Sequence, residues 1–159
     1  MMIFTDSRLN HSLNVARKMK EIIQNNPDLF TCKPEEGFYL GIVHDIAYEF
    51  VEDPIFHEHK GGELLKELGF KYWREVYYHG DPDANYISPE LMLLNYADLI
   101  TGPNGENLTI SERLIDIANR YGESSIQYIK AKRLSEKVIC EFVPKIKKPI
   151  SDSNVPLYY

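Results

Sequence analysis

Apolar residues recur along this chain at three- and four-residue spacings, and no stretch alternates long enough to favour a strand, so the pattern predicts an all-α fold. Val15, Ala16, Met19, Ile22 and Ile23 form one inward stripe in HSLNVARKMKEII, a first helix expected to open with Ser7 as N-cap and to stop at NNPD. Pro34 and two following glutamates suit the first turn of a second helix. Proline lacks the N–H left unpaired there, and carboxylates favour the positive helix end. That helix carries GFYLGIVHDIA. A third is expected from about Asp53-Pro54 to just before Gly69, and a fourth, YWREVYYH, ends at Gly80. Ser88-Pro89-Glu90 opens LMLLNYADLI, which breaks at TGPNG, and TISERL fits a capping box with either hydroxyl, Thr109 or Ser111, for a helix to about Tyr121. After Gly122 a long helix is expected from about Glu123 to Phe142. The remainder, PKIKKPISDSNVPLYY, has three prolines and no periodicity. The expectation is a single compact helical bundle of about six to seven helices over residues 1–143, followed by a C-terminal tail, 144–159.

Composition narrows the setting. With 159 residues, 43% of them hydrophobic, the chain can bury one continuous core. A net charge of −6 argues against non-specific binding to nucleic acid or to an anionic membrane, both of which require a cationic surface. A small anionic substrate would then need metal or local cations. Cys32 and Cys140 are the only cysteines and lie far apart, which suits a reducing, cytoplasmic setting more than a disulfide framework. The start MMIFTDSRLN has no basic and apolar leader pattern, and no run is long enough to span a bilayer.

Candidate chemistry comes from ionisable residues at apolar positions. A His-Asp dipeptide is a weak signal in isolation. His44-Asp45, however, sits between FYLGIV and IA, where a helix would be buried, and an unpaired buried carboxylate costs on the order of several kcal/mol. It must meet a cation, strong donors or a metal; a bonded core histidine is the plainer alternative. Asp98 raises the same demand among Leu94, Tyr96, Ala97, Leu99 and Ile100. His11 lies four residues before Val15 on the inward face of the first helix. His79 follows Val76 by three residues, where a histidine could equally serve the helix C-terminus. In PIFHEHKGGELLKELGF, helical spacing puts His57 on one face with Gly61, Leu64, Leu65 and Leu68, and His59 with Gly62, Glu63 and Lys66. His57 is therefore expected to point into the core and His59 toward water, with Gly61 allowing close approach of a neighbour or ligand.

In order, HSLNVA (His11), GIVHDIA (His44, Asp45), HEHKGGELL (His57), YYHG (His79) and NYADLITG (Asp98) resemble the HD-domain metal-dependent phosphohydrolase superfamily over residues 11–102. The histidines between the His-Asp pair and the last aspartate resemble its two-metal members, nearest to the small bacterial group that includes symmetric diadenosine tetraphosphate hydrolases. This resemblance implies two divalent metal ions, with Asp45 bridging them, His11, His44 and Asp98 on one, and His57 and His79 on the other. His44 and Asp45 would be the catalytic pair, and a water activated by metal would attack a nucleotide or related small phosphate ester. Mixed imidazole and carboxylate ligation suits iron, manganese or zinc, and the resemblance puts iron first. Adjacent His44 and Asp45 could reach such a cluster from two sides only if the helix end abuts it. Many members carry a lysine three residues after the His-Asp aspartate. Here Tyr48 and then Glu49 follow, and either could line the pocket; Lys60, one turn from His57, is the nearest candidate cation for substrate phosphate. Two alternatives share the ligand set: a mixed-valent di-iron oxygenase and a non-catalytic nucleotide-binding module. A homodimer is a possible assembly.

Overall fold

The computed structural model describes residues 6–48 and 57–147. Among the described residues there are seven α-helices: α1 (Asp6–Asn25), α2 (Pro34–Val43), α3 (His57–Glu67), α4 (Trp73–Tyr78), α5 (Pro89–Leu99), α6 (Ile110–Tyr121) and α7 (Ile126–Glu141). The only β pairing among them is an isolated bridge between Thr101 and Asn107. This is the expected all-α bundle.

Three helical hairpins, α1/α2, α3/α4 and α6/α7, surround α5, which packs against α1, α2, α4 and α7. The central position of α5 follows from its sequence, since Leu91, Leu93, Leu94, Tyr96, Ala97 and Leu99 leave almost no polar face and are all buried. The stripe Val15, Ala16, Met19, Ile22 and Ile23 is likewise buried along α1. Gly41 lets α2 lie directly on that stripe, because a Cβ there would stand 2.5 Å from the Ala16 Cα.

Helix starts use short polar side chains. Ser88 Oγ accepts from Leu91 N at 2.9 Å. Thr109 and Glu112 cap each other reciprocally at 3.0 and 2.9 Å. Ser125 Oγ accepts from Tyr128 N at 3.1 Å, so α7 begins at Ile126 rather than near Glu123. Ser7 is already helical, not the N-cap, because α1 includes Asp6. The expected start of α3 near Asp53-Pro54 lies outside the described residues.

Two further expectations are corrected and a third is refined. α2 does not run through HDIA. His44 Nδ1 lies 2.6 Å from Gly41 O, which a continuing helix would offer to the Asp45 N–H, and the chain turns through His44–Tyr48 instead. Leu68 is 70% exposed because α3 ends at Glu67 before its side chain can reach the core. Gly61 does meet a close neighbour, a Cβ there standing 3.3 Å from Val76 Cγ1, but the backbone approach on α3 belongs to Gly62: its Cβ would stand 2.5 Å from Tyr77 Cβ and 2.7 Å from its Cα, so α3 and α4 touch backbone to backbone there. Cys32 is buried, Cys140 is exposed, and both are free thiols. Among the described residues no helix is long and apolar enough to cross a membrane.

Candidate metal centre

The helix ends of the first five helices meet at one face of the bundle. His44 is the C-cap of α2 with Asp45 one residue on, His57 opens α3, His79 is the C-cap of α4, and Asp98 is in the last turn of α5. His11 approaches from the second turn of α1. The fold thus meets the geometric demand set by adjacent His44 and Asp45: the chain turns at the cluster.

Asp45 is the centre. Its Oδ1 lies 2.9 Å from His57 Nε2 and 3.5 Å from His79 Nε2. Its Oδ2 lies 3.3 Å from His44 Nε2 and 3.6 Å from His11 Nε2, and accepts from Arg8 at 3.0 Å. Asp98 Oδ1 is 2.8 Å from His11 Nε2 and 3.4 Å from His44 Nε2. The four imidazoles form a chain with ring centroids 5.3, 5.3 and 5.4 Å apart. Asp45, His11, His44 and His79 are buried; Asp98 stands at the rim with 29% of its side chain exposed.

The outward nitrogens are anchored. His11 Nδ1 is 2.8 Å from Gly102 O, His44 Nδ1 2.6 Å from Gly41 O, and His79 Nδ1 2.6 Å from Val76 O. A carbonyl only accepts, so each Nδ1 carries a hydrogen and Nε2 is left to face the carboxylates. His57 Nδ1 lies 2.8 Å from the Glu58 carboxylate. Lys18, itself buried, donates to Ile100 O at 2.8 Å and Thr101 Oγ1 at 2.7 Å, which ties down the chain just before Gly102 and satisfies the Ile100 carbonyl at the C-cap of α5.

This donor set fits divalent metal. Four imidazoles oriented through Nδ1 and two carboxylates bring nitrogen and oxygen donors into one cluster, the arrangement in which outer partners fix metal-binding histidines. His44 Nε2 is buried without a hydrogen-bond partner despite two carboxylate oxygens nearby, a group that a cation would satisfy. His11, His44 and Asp98, and also His44, Asp45 and His79, each bring ligand atoms within 4.8 Å of one another. Without metal the cluster is an ion network. Burial opposes charge on His44 and His57, yet the neighbouring carboxylates outweigh it and raise them to about 10 and about 11. Burial likewise opposes charge on Asp45 and Asp98, and the adjacent imidazoles hold both carboxyls well below the usual range.

The HD domain family matches residues 8–122. The chain belongs to the HD domain family. That membership places it in a superfamily of metal-dependent phosphohydrolases that bind divalent metals, and the His/Asp cluster is compatible with such a site. No curated protein and no solved structure matches the chain.

A cavity of about 170 Å³ opens over the HD-domain cluster, rimmed by Arg8, Tyr48, Glu58, Arg113 and Tyr121. Arg8 and Glu58 are residues the sequence reading did not single out. Arg8 sits one turn before His11 on the same helix face, yet a cation there reads as surface in the sequence. Its guanidinium lies 3.6 Å above the Tyr48 ring while bonding Asp45, so the position where many HD proteins carry a lysine here holds an aromatic seat for a cation from α1. Lys60, expected near substrate phosphate, is exposed and lines neither this cavity nor the cleft beside it. The packing of Gly61, Gly62 and Leu65 fixes the rotation of α3 and leaves His59, Lys60, Glu63 and Lys66 outside. His59 stacks on Tyr77 at 4.4 Å, away from the cluster. Glu49 lies outside the described residues.

Proposed function

We propose that this HD-domain protein is a phosphohydrolase that cleaves a nucleotide or related small phosphate ester with two divalent metal ions, iron first among them. The carrying observation is the split environment of Asp45: Oδ1 faces His57 and His79, and Oδ2 faces His11 and His44. That division supports Asp45 as a bridge, with His11, His44 and Asp98 on one side and His57 and His79 on the other.

When bound, such ions lower the pKa of a coordinated water and clamp the attacking and leaving oxygens of an in-line displacement. The chain's own residues do the rest. Gly41 O, Val76 O and Gly102 O hold three imidazole rings so that Nε2 needs no reorientation. Glu58 faces the fourth ring and strengthens it as a donor. Arg8 at the cavity rim offers charge to an incoming phosphate oxygen, and Arg113 lines the same cavity. Two guanidiniums at the cavity rim suit an anionic substrate such as a phosphate ester.

The test is phosphate release from a panel of nucleotides, phosphomonoesters and diadenosine tetraphosphate by protein loaded in turn with iron, manganese or zinc. The expected result is metal-dependent release that Asp45→Ala abolishes while the fold persists. Equal rates with and without metal would sink the proposal. Turnover that requires oxygen and stops under anaerobic conditions would turn it into the di-iron oxygenase, and nucleotide binding with no turnover would turn it into a binding module.

A further inference from the structure

The cavity over the cluster does not end at Arg113 and Tyr121. The same two residues, with Tyr48, His57, Glu58 and Asp98, also line a cleft of about 360 Å³ that runs between α6 and α7. That volume is in the range of small-molecule sites. Beyond the shared residues its walls are mostly apolar: Leu99, Ile117, Ile126, Ala131 and Leu134, with Gln127 and Lys130 as the polar exceptions. Tyr121 and Ile126 at its edge are 49% and 50% exposed, so part of its apolar lining faces solvent. The two ends of this continuous space therefore differ in chemistry, with two arginines and the metal ligands at one and mostly aliphatic side chains, with Gln127 and Lys130, at the other.

Arg113 marks the junction. Its guanidinium bonds Asp116 at 2.8 Å, and Asp116 also meets Arg120 at 3.2 Å. One carboxylate shared by two guanidiniums leaves net positive charge, and Asp116, which lines neither space, holds Arg113 from behind. An anion bound at the cluster would have both Arg8 and Arg113 in the wall of its cavity. A polar or multiply charged group pushed further would find only Gln127 and Lys130 as polar partners, and desolvating it against Ile117, Ala131 and Leu134 is unfavourable.

We propose that the substrate is a phosphomonoester of a bulky, largely apolar alcohol, with its phosphate in the cavity lined by Arg8 and Arg113 and its organic group in the α6–α7 cleft. This rests on the phosphohydrolase reading for where phosphate sits, and it narrows that reading away from polyphosphates. Arg113 is a substrate-binding residue and Asp116 its positioning residue. Ala131, half-buried on α7, marks the depth of the cleft.

Two measurements on manganese-loaded protein test it. First, 3-phenylpropylphosphonate and methylphosphonate, neither of which can be hydrolysed, are titrated by calorimetry. The aryl compound is expected to bind at least about tenfold more tightly, as an apolar group entering an apolar pocket does. Ala131→Phe should remove that preference without weakening methylphosphonate, whereas Arg113→Met should weaken both by about tenfold through loss of a charge-assisted contact. Equal affinity of the two phosphonates, or a preference that survives Ala131→Phe, overturns the proposal. Second, phosphate release from 2-phenylethyl phosphate is compared with release from ethyl phosphate, whose leaving alkoxides are similar in basicity. A kcat/KM preference of about tenfold or more for the aryl ester supports the cleft. Equal rates overturn the cleft and leave the hydrolase standing. No release from either ester, with the phosphonate preference intact, overturns the hydrolase and leaves the cleft supported.

Discussion

Around Asp45, four imidazoles lie within 3.6 Å of one carboxylate, each reached from a different helix end or turn. Adjoining it, the part of the cleft formed by α6 and α7 adds Ile117, Ile126, Ala131 and Leu134, with Gln127 and Lys130 as its polar side chains. The cluster depends on residue identity: a histidine replaced by any other side chain loses a donor. The cleft depends on shape, and one apolar residue there can stand in for another at modest cost. Sequence motifs record the first kind of constraint and are nearly blind to the second.

Changes at the cluster should therefore be far more damaging than changes in the cleft or on the surface. Asp45→Ala is expected to reduce activity by at least about 1000-fold and to strip metal, read by steady-state rates and elemental analysis. His57→Gln should lower metal affinity by about 10- to 100-fold, as should Glu58→Gln through the ring it faces, whereas His59→Gln should change it less than about twofold. Metal loss on His59→Gln, with His57→Gln unaffected, would contradict the rotation of α3.

The cluster's protons give a pH signature. Imidazoles held up to about 10 and about 11 in the metal-free protein, against an ordinary 6.5, stabilise that fold fully below pH 6.5 and lose the contribution as pH rises toward those values. Metal must displace the same protons, so metal affinity rises with pH, and the thermal shift on adding metal should be larger at pH 8 than at pH 6. A shift that shrinks over that interval would contradict the assignment. Gly62→Ala should cost about 1–3 kcal/mol in urea unfolding, because its Cβ would strike the Tyr77 backbone. At the small end, Lys60→Gln should leave kcat/KM within about twofold, consistent with its exposed position.

Much of this was legible in the chain. The inward stripe of α1, the Ser88 and Thr109 caps and the breaks at glycine follow local rules that the tertiary fold does not override. His11, His44, Asp45, His57, His79 and Asp98 stood out as ionisable groups in apolar surroundings, and the structure brings all six together. Where α2 stops was not legible, because the His44 ring takes the Gly41 carbonyl that helical periodicity assigns to the backbone. Leu68 kept the right spacing but lay past the end of its helix. Arg8 and Lys18 were hidden for another reason. A cation on a helix reads as solvated surface, and only the fold shows that one meets Asp45 and the other the end of α5. Arg113 and the cleft carry no local signal, since an apolar wall shared by two helices looks like core in either helix alone.

The most direct measurement is the metal content of the purified protein and of Asp45→Ala, with phosphate release followed as metal is removed and restored. About two equivalents per chain in the wild type, markedly fewer in Asp45→Ala, and activity that vanishes and returns with the metal are the expected results. A wild-type protein that holds no divalent metal when fully folded, or hydrolyses phosphate esters equally well without it, would contradict the account.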